Sequence, residues 1–158
     1  MFRLYSKGCE YAVRALAQLA PAQGGRFQAK TICEKAEIPE SFTRKVFQAL
    51  VQTNFFDAVR GPGGGYALTK HPSEISLLEI IHAVDGIDTF SGCIMGLDEC
   101  DSTKPCPLHT VWADAKSDLL AQLGSKTLQD LLDTMEQRKS EGHMDEADVI
   151  NLVMASPE

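Results

Sequence analysis

Apolar positions in the first fifty residues recur at helical spacing. Ala12, Val13, Leu16, Leu19 and Ala20 fall on one face of a helix that Ser6 caps and that ends near Pro21 and Gly24-Gly25. Phe27-Gln28-Ala29-Lys30 opens a second, shorter helix with Ile32 and Cys33 turned inward. Ile38-Pro39-Glu40 predicts a break and a restart, because proline suits the first helical position and glutamate suits the positive end of a helix. A third helix then runs SFTRKVFQALVQTN, with Phe42, Val46, Ala49 and Leu50 on its apolar side and Ser41, Arg44, Lys45 and Gln48 largely on the other.

The period then changes. Phe56, Ala58 and Arg60, then Tyr66 and Leu68, read as two short strands around Gly61-Pro62-Gly63-Gly64-Gly65, which is a turn. Ser73–Gly86 is expected as a fourth helix, with Ser76 and Glu79 spaced as a capping box and Ile75, Leu78, Ile81 and Val84 as its stripe. From Pro107 a long helix is expected, since Leu108, Val111, Trp112, Ala115, Leu119 and Leu123 recur on one face before Gly124. Thr127, with Asp130 three residues on, caps a last helix over TLQDLLDTME. Residues 138–158 are polar and acidic, with a weak helical segment near Asp145–Met154.

Three helices followed by a Gly-tipped hairpin give the order of a winged helix-turn-helix. The fold expected is mainly α with a small β-hairpin wing, plus a long dimerisation helix. The boundaries are 1–86 for the DNA-binding domain and 87–107 for a cysteine-rich loop. The dimerisation helix and its short successor follow over 108–137, then an acidic, disordered tail over 138–158. The long helix has one strong apolar stripe and only a small domain before it, so a second copy of the chain is the expected partner, as a homodimer.

Charge sharpens this picture. The net charge of −7 divides into +5 over residues 1–70 and −12 over the remainder. Only the first half suits a polyanion. In a helix-turn-helix the second motif helix enters the major groove by its N-terminal residues. That makes Ser41, Phe42, Arg44 and Lys45 candidates for base contacts, Arg44 to guanine and Phe42 to a thymine methyl. Arg60, just before the wing turn, is placed for a narrow minor groove. Lys7, Arg3 and Lys30 are candidates for phosphate contacts, and the expected partner is double-stranded DNA with a pseudo-palindromic operator. The Gly-rich turn lacks the Lys-Ser/Thr and the following helix of a nucleotide-binding loop. No catalytic triad, Cys-x-x-Cys or paired carboxylates point to an enzyme. No apolar run is long enough for a membrane span, and the N-terminal residues lack a signal-peptide pattern, so a cytoplasmic protein is expected.

The candidate chemistry lies in CIMGLDECDSTKPCPLH, residues 93–109. Cys93 and Cys100 have six residues between them, Cys100 and Cys106 five, and His109 follows after two. Three thiolates and an imidazole can hold tetrahedral zinc, a 2Fe–2S cluster or a 4Fe–4S cluster. The wide spacings favour a cluster over one ion, with zinc or a thiol switch as alternatives. Cys9 and Cys33 read as structural residues on helices.

The stretches SKGCEYAVRALAQLA, RGPGGGYAL and the C-x6-C-x5-C run with PLHTVW resemble the bacterial winged-helix iron–sulfur regulators typified by IscR and NsrR, over about residues 1–135. The resemblance implies a homodimeric transcription regulator whose iron–sulfur cluster controls operator binding. It puts the wing arginine on Arg60 and the recognition helix on residues 40–52. By analogy with IscR, His109 completes a site with Cys93, Cys100 and Cys106, and 2Fe–2S is favoured over 4Fe–4S. By analogy with NsrR, the fourth ligand is instead Glu10 from the partner subunit. Two departures stand out. A position that is glutamate in IscR is Arg44 here, so the operator is not carried over. The first cysteine spacing is six rather than five, which leaves the cluster type open.

Overall fold

The structure is a computed structural model that describes residues 4–21, 24–97 and 100–141. Helix α1 spans Lys7–Leu19, and Ser6 caps it by accepting from the Cys9 N–H at 3.2 Å. Helix α2 spans Ala29–Ala36 and ends on Glu37 in the left-handed conformation. Helix α3 spans Glu40–Gln52, with Pro39 as N-cap. Strands β1 (Phe56–Val59) and β2 (Gly65–Leu68) pair antiparallel, with Phe56 opposite Leu68 and Val59 opposite Gly65. Helix α4 spans Leu77–Asp85, α5 His109–Ser125 and α6 Leu128–Ser140. The architecture is the expected one: mainly helical, with a two-stranded wing.

The core is where the inward faces of α1, α2 and α3 meet α4 and the base of the wing. Leu16, Ile32, Phe47, Leu50, Phe56 and Ile80 are among its fully buried side chains. Phe47 stands nearly perpendicular to Phe56 at 5.2 Å and lies 4.9 Å from Tyr66, so one aromatic cluster joins α3 to both wing strands. Such edge-to-face pairs add to the stabilisation given by burial alone.

Five local expectations need correction. Phe27 does not open α2. Its main chain instead pairs with Tyr66 in both directions, at 2.8 and 2.9 Å, as a short third edge of the wing. Gly65 permits this approach, because a Cβ there would lie 2.4 Å from the Phe27 carbonyl oxygen. Phe42 is not on the apolar side of α3; it is 59% exposed, and Thr43 and Phe47 are buried with Val46 and Leu50. The fourth helix starts at Leu77 rather than Ser73, because Pro72–Glu74 form a separate 3-10 turn with its own capping box from His71. Gly124 lies within α5 rather than beyond it, and α6 continues past Glu136 to Ser140. The acidic segment after residue 141 and Arg3 lie outside the described residues.

The other two sequence-read caps are also present. Ser76 accepts from the Glu79 N–H while Glu79 accepts from the Ser76 N–H at 2.8 Å, and Thr127 and Asp130 repeat the arrangement at the start of α6. Between these caps the chain closes on itself. The Leu77 N–H donates to the Lys126 carbonyl at 2.9 Å, and the Leu128 N–H to that of Ile75 at 2.8 Å. Leu128 is thereby seated in the core. The base of α5 is pinned to the start of α4, with Gly124 against Leu78. Further out α5 buries no residue fully, and Leu108 and Val111 at its N-terminal end are 43% and 69% exposed.

Candidate metal centre and nucleic-acid interface

The sulfur-bearing loop begins where α4 ends. Gly86, at φ +94°, turns the chain into a 3-10 turn over Ile87–Phe90, and Phe90 packs into the core. The Trp112 indole N–H donates to the Gly92 carbonyl at 3.2 Å and holds the loop against α5. At the α4 end, Ser6 donates from its N–H to Asp85 at 2.6 Å, and its hydroxyl donates to the other oxygen of the same carboxylate. The segment thus emerges from one joint, α1 against α4, and runs into α5.

The four donors nominated from sequence lie along this path. Cys106 and Cys93 interact through their sulfur atoms, and the electrostatic influence of Cys100 also reaches Cys106. Cys100 Sγ lies 3.6 Å from Nδ1 of His109, the first residue of α5. The Cys93 sulfur faces backbone N–H groups of Met95, Leu97 and Gly96, and these hold its pKa below the ordinary thiol value. Desolvation pushes the Cys106 thiol up, and its contact with Cys93 adds to that rise. A sulfur cradled by N–H donors is favoured as the thiolate, the form that binds metal. Among the described residues, no three His, Cys, Asp or Glu side chains are gathered as the ligands of one metal ion. The donor set is soft and has the composition that iron–sulfur clusters take.

Glu10 occupies a different environment. It is 4% exposed on α1 and ion-paired within its own chain to Lys7 at 2.7 Å and to Arg14 at 3.0 Å. Cys9 beside it is buried, and burial, followed by the charge of Asp85, pushes its thiol up to about 12. Cys33 is buried and donates to Thr43 Oγ1 at 3.2 Å. Both therefore pack as small core residues, in line with their structural reading.

The candidate DNA-reading side chains are all exposed. Ser41, Phe42, Arg44 and Lys45 stand on the first turns of α3, Lys7 on the first turn of α1, and Arg60 at the wing tip. Lys30 is also exposed, 3.9 Å from Glu34. Sequence reasoning missed two side chains that set this surface. Arg26 grips the wing, donating to the Gly65 carbonyl at 3.0 Å and pairing with Asp57 at 2.6 Å. Tyr11 backs Phe42. Neither carries a local signal: Arg26 and Asp57 are 31 residues apart, and Tyr11 falls within an ordinary helical stripe.

Comparison with known proteins gives a consistent result. The model of the Rrf2 family, described as "Iron-dependent Transcriptional regulator", matches residues 5–134. The HTH-type transcriptional regulator IscR of Photorhabdus laumondii is 35% identical over 144 residues, covering 90% of this chain and 87% of that protein. Among solved structures, T. potens IscR has a TM-score of 0.63 at 25% identity, covering 89% and 91% of the two chains. CymR of B. subtilis, described as the global cysteine regulator of that organism, has a TM-score of 0.70 at 23% identity over 85% and 98%. No described helix is long and apolar enough to cross a membrane.

Proposed function

The chain belongs to the Rrf2 family of transcriptional regulators, and on that premise we propose a homodimer whose operator binding is controlled by an iron–sulfur cluster. The observation that carries this reading is the 3.6 Å approach of Cys100 Sγ to His109 Nδ1, on a segment that also carries Cys93 and Cys106 and that runs from the winged helix-turn-helix into α5. Residues 1–86 read DNA, 87–107 carry the cluster, and 108–137 form the dimer contact and its supporting helix. Leu108 and Val111 lie exposed on α5, where a second copy would cover them.

In this reading the three cysteines and His109 are the ligands, and the 2Fe–2S type is preferred as the resemblance to IscR implies. Glu10 is the weaker candidate, because ligation in the partner would draw it from two ion pairs in a buried setting. The bound cluster supplies lability toward oxidants, nitric oxide or iron shortage. The chain's own residues do the rest. Cys93 anchors the loop to the end of α4, and Cys106 and His109 anchor it to the start of α5. Arg44, Lys45 and Ser41 meet base edges, Arg60 the minor groove, and Lys7 a phosphate. Half-sites one helical turn apart are about 34–36 Å from centre to centre, so a small change of angle at α5 alters the fit of both recognition helices.

A thiol switch is the second reading, favoured by the mutual influence of Cys93 and Cys106 on each other's ionisation and by their opposite pKa directions. Anaerobic purification decides. Visible charge-transfer absorption with bound iron and sulfide supports the cluster. A colourless protein that loses two thiols on mild oxidation supports the switch, and stoichiometric zinc overturns both. For the DNA reading, Arg60→Ala and Arg44→Ala weaken operator binding and lower its salt dependence. Binding that survives both substitutions unchanged would remove the assignment of the recognition helix and wing.

A further inference from the structure

Phe42 is an anomaly on its own helix. The apolar face of α3 is completed without it by Val46, Phe47 and Leu50, yet a full aromatic ring stands 59% exposed in the first turn. It is not a loose ring. Its centroid lies 5.9 Å from that of Tyr11 on α1, with the two planes at 72°. Tyr11 is itself 9% exposed and therefore fixed by its surroundings. Lys7 Nζ stands 5.7 Å over the Tyr11 ring while pairing with Glu10 at 2.7 Å. A cation over an aromatic face and an edge-to-face aromatic pair are both attractive arrangements. Tyr11 is therefore the hub of a stack that joins a basic residue of α1 to the exposed ring of α3.

From this stack we propose that Tyr11 is a positioning residue for sequence recognition: it holds the Phe42 ring so that each protomer selects a thymine through its 5-methyl group. The inference rests on the reading of α3 as the recognition helix and deepens it. The thymine methyl is the one apolar group among the base-edge features of the major groove, and apolar side chains meet it there. An unsupported phenyl ring at the surface would be spread over rotamers, and ordering it would offset much of the gain from covering one methyl. A ring already braced from behind makes that contact with its ordering cost met on folding, which is preorganisation. Arg44 and Lys45, by contrast, are charged and flexible and can serve several acceptors. Phe42 gives this surface a preference that charge cannot.

The test uses the anaerobically purified full-length protein and an operator that it selects from random duplex DNA. Each thymine is replaced in turn by deoxyuridine, which removes only the methyl, and binding is followed by fluorescence anisotropy. We expect one thymine per half-site whose replacement weakens binding about fourfold, the factor for one buried methylene-sized group. Phe42→Ala abolishes that loss. Tyr11→Leu and Tyr11→Met, made together so that one folded variant is available, reduce it to less than twofold. Tyr11→Phe preserves it. The salt dependence of binding stays the same in all four, because no phosphate contact is removed. A purely structural role for Tyr11 would weaken binding to the thymine and uracil operators alike and leave their ratio at fourfold. That result, or a selected operator in which no uracil replacement weakens binding, overturns the proposal while leaving the recognition helix assigned. Failure of the protein to select any DNA overturns the reading on which it rests.

Discussion

Removing the Arg26 guanidinium should loosen the wing without unfolding the domain. Arg26 makes two useful contacts there. Its pair with Asp57, at 2.6 Å, joins side chains 28% and 55% exposed, so it belongs with partly solvated pairs worth roughly 0.2–1 kcal/mol. Its donation to the Gly65 carbonyl, at 3.0 Å and partly buried, is a hydrogen bond from a charged group worth about 1.5 kcal/mol. A longer donation to the Asp57 carbonyl, at 3.3 Å, adds little. The sum is about 2 kcal/mol, or about thirtyfold in the opening equilibrium of the wing. The matched readout is amide hydrogen exchange. The Tyr66 and Phe27 N–H groups bond to each other's residues across the gap that Arg26 bridges. In Arg26→Ala they should exchange about thirtyfold faster, while the amides of Leu16 and Leu50 in the core keep their rates. Arg26→Lys retains the ion pair but not the forked geometry and should fall between the two. Equal exchange at Tyr66 in wild type and Arg26→Ala would refute the reasoning, because the wing would then be held by the aromatic cluster alone.

Phe47→Ala should cost about 3–5 kcal/mol, since it empties the centre of that cluster; urea denaturation measures it, and a loss below about 1 kcal/mol contradicts the packing described. Glu10→Ala should destabilise by about 3 kcal/mol through the buried charges left behind on the Arg14 side, even in protein that binds no metal. Glu10→Gln is therefore the fair comparison with His109→Ala for the fourth ligand, read by resonance Raman spectra of the anaerobic protein. Hydrogen bonding from the Ser76 backbone, joined by that from its side chain, lowers the Glu79 pKa. Its contribution is then complete above the ordinary carboxyl value of 4.5 and fades as pH falls through the lowered one. Thermal melts of Glu79→Gln should accordingly converge on wild type in acid and draw apart as pH rises toward 4.5; a difference that does not change over that range would show that Ser76 does not hold the Glu79 carboxylate.

The elements most legible in the sequence are those specified locally. The caps at Ser6, Ser76 and Thr127 each need one side-chain oxygen and a nearby backbone N–H, and the sequence spacing alone locates them. The wing turn is equally plain, because a glycine-rich stretch accommodates its backbone. The spacing puts Phe42 on the apolar side of α3 and leaves Phe47 unassigned, whereas the structure exposes Phe42 and buries Phe47. Both fit an apolar stripe, and the choice between them is made by Phe56 and Tyr66, which arrive from later in the chain. Phe27 reads as helical for a similar reason: the pairing that claims its backbone requires the absence of a side chain at Gly65. At the sulfur site the donor types and their order were visible. The amide cradle around Cys93 was not, because Met95, Gly96 and Leu97 contribute it through backbone groups that any residues but proline would also offer.

The closure between Ile75–Leu77 and Lys126–Leu128 makes α5 a lever hinged at its far end. Its 17 residues give an arm of about 25 Å, and His109 rides on the opposite tip. A displacement of about 1 Å at the tip is then only about 2° of rotation at the hinge, by the same helix rise. That rotation is delivered to the domain at the start of α4, where the closure lies. The shorter route is the other one, through Gly86 and Asp85 to the hydrogen bonds at Ser6, the residue that starts the helix carrying Lys7 and Tyr11. In mechanical terms the tip of α5 is suited to meeting a second subunit, and the end of α4 to carrying news to the groove.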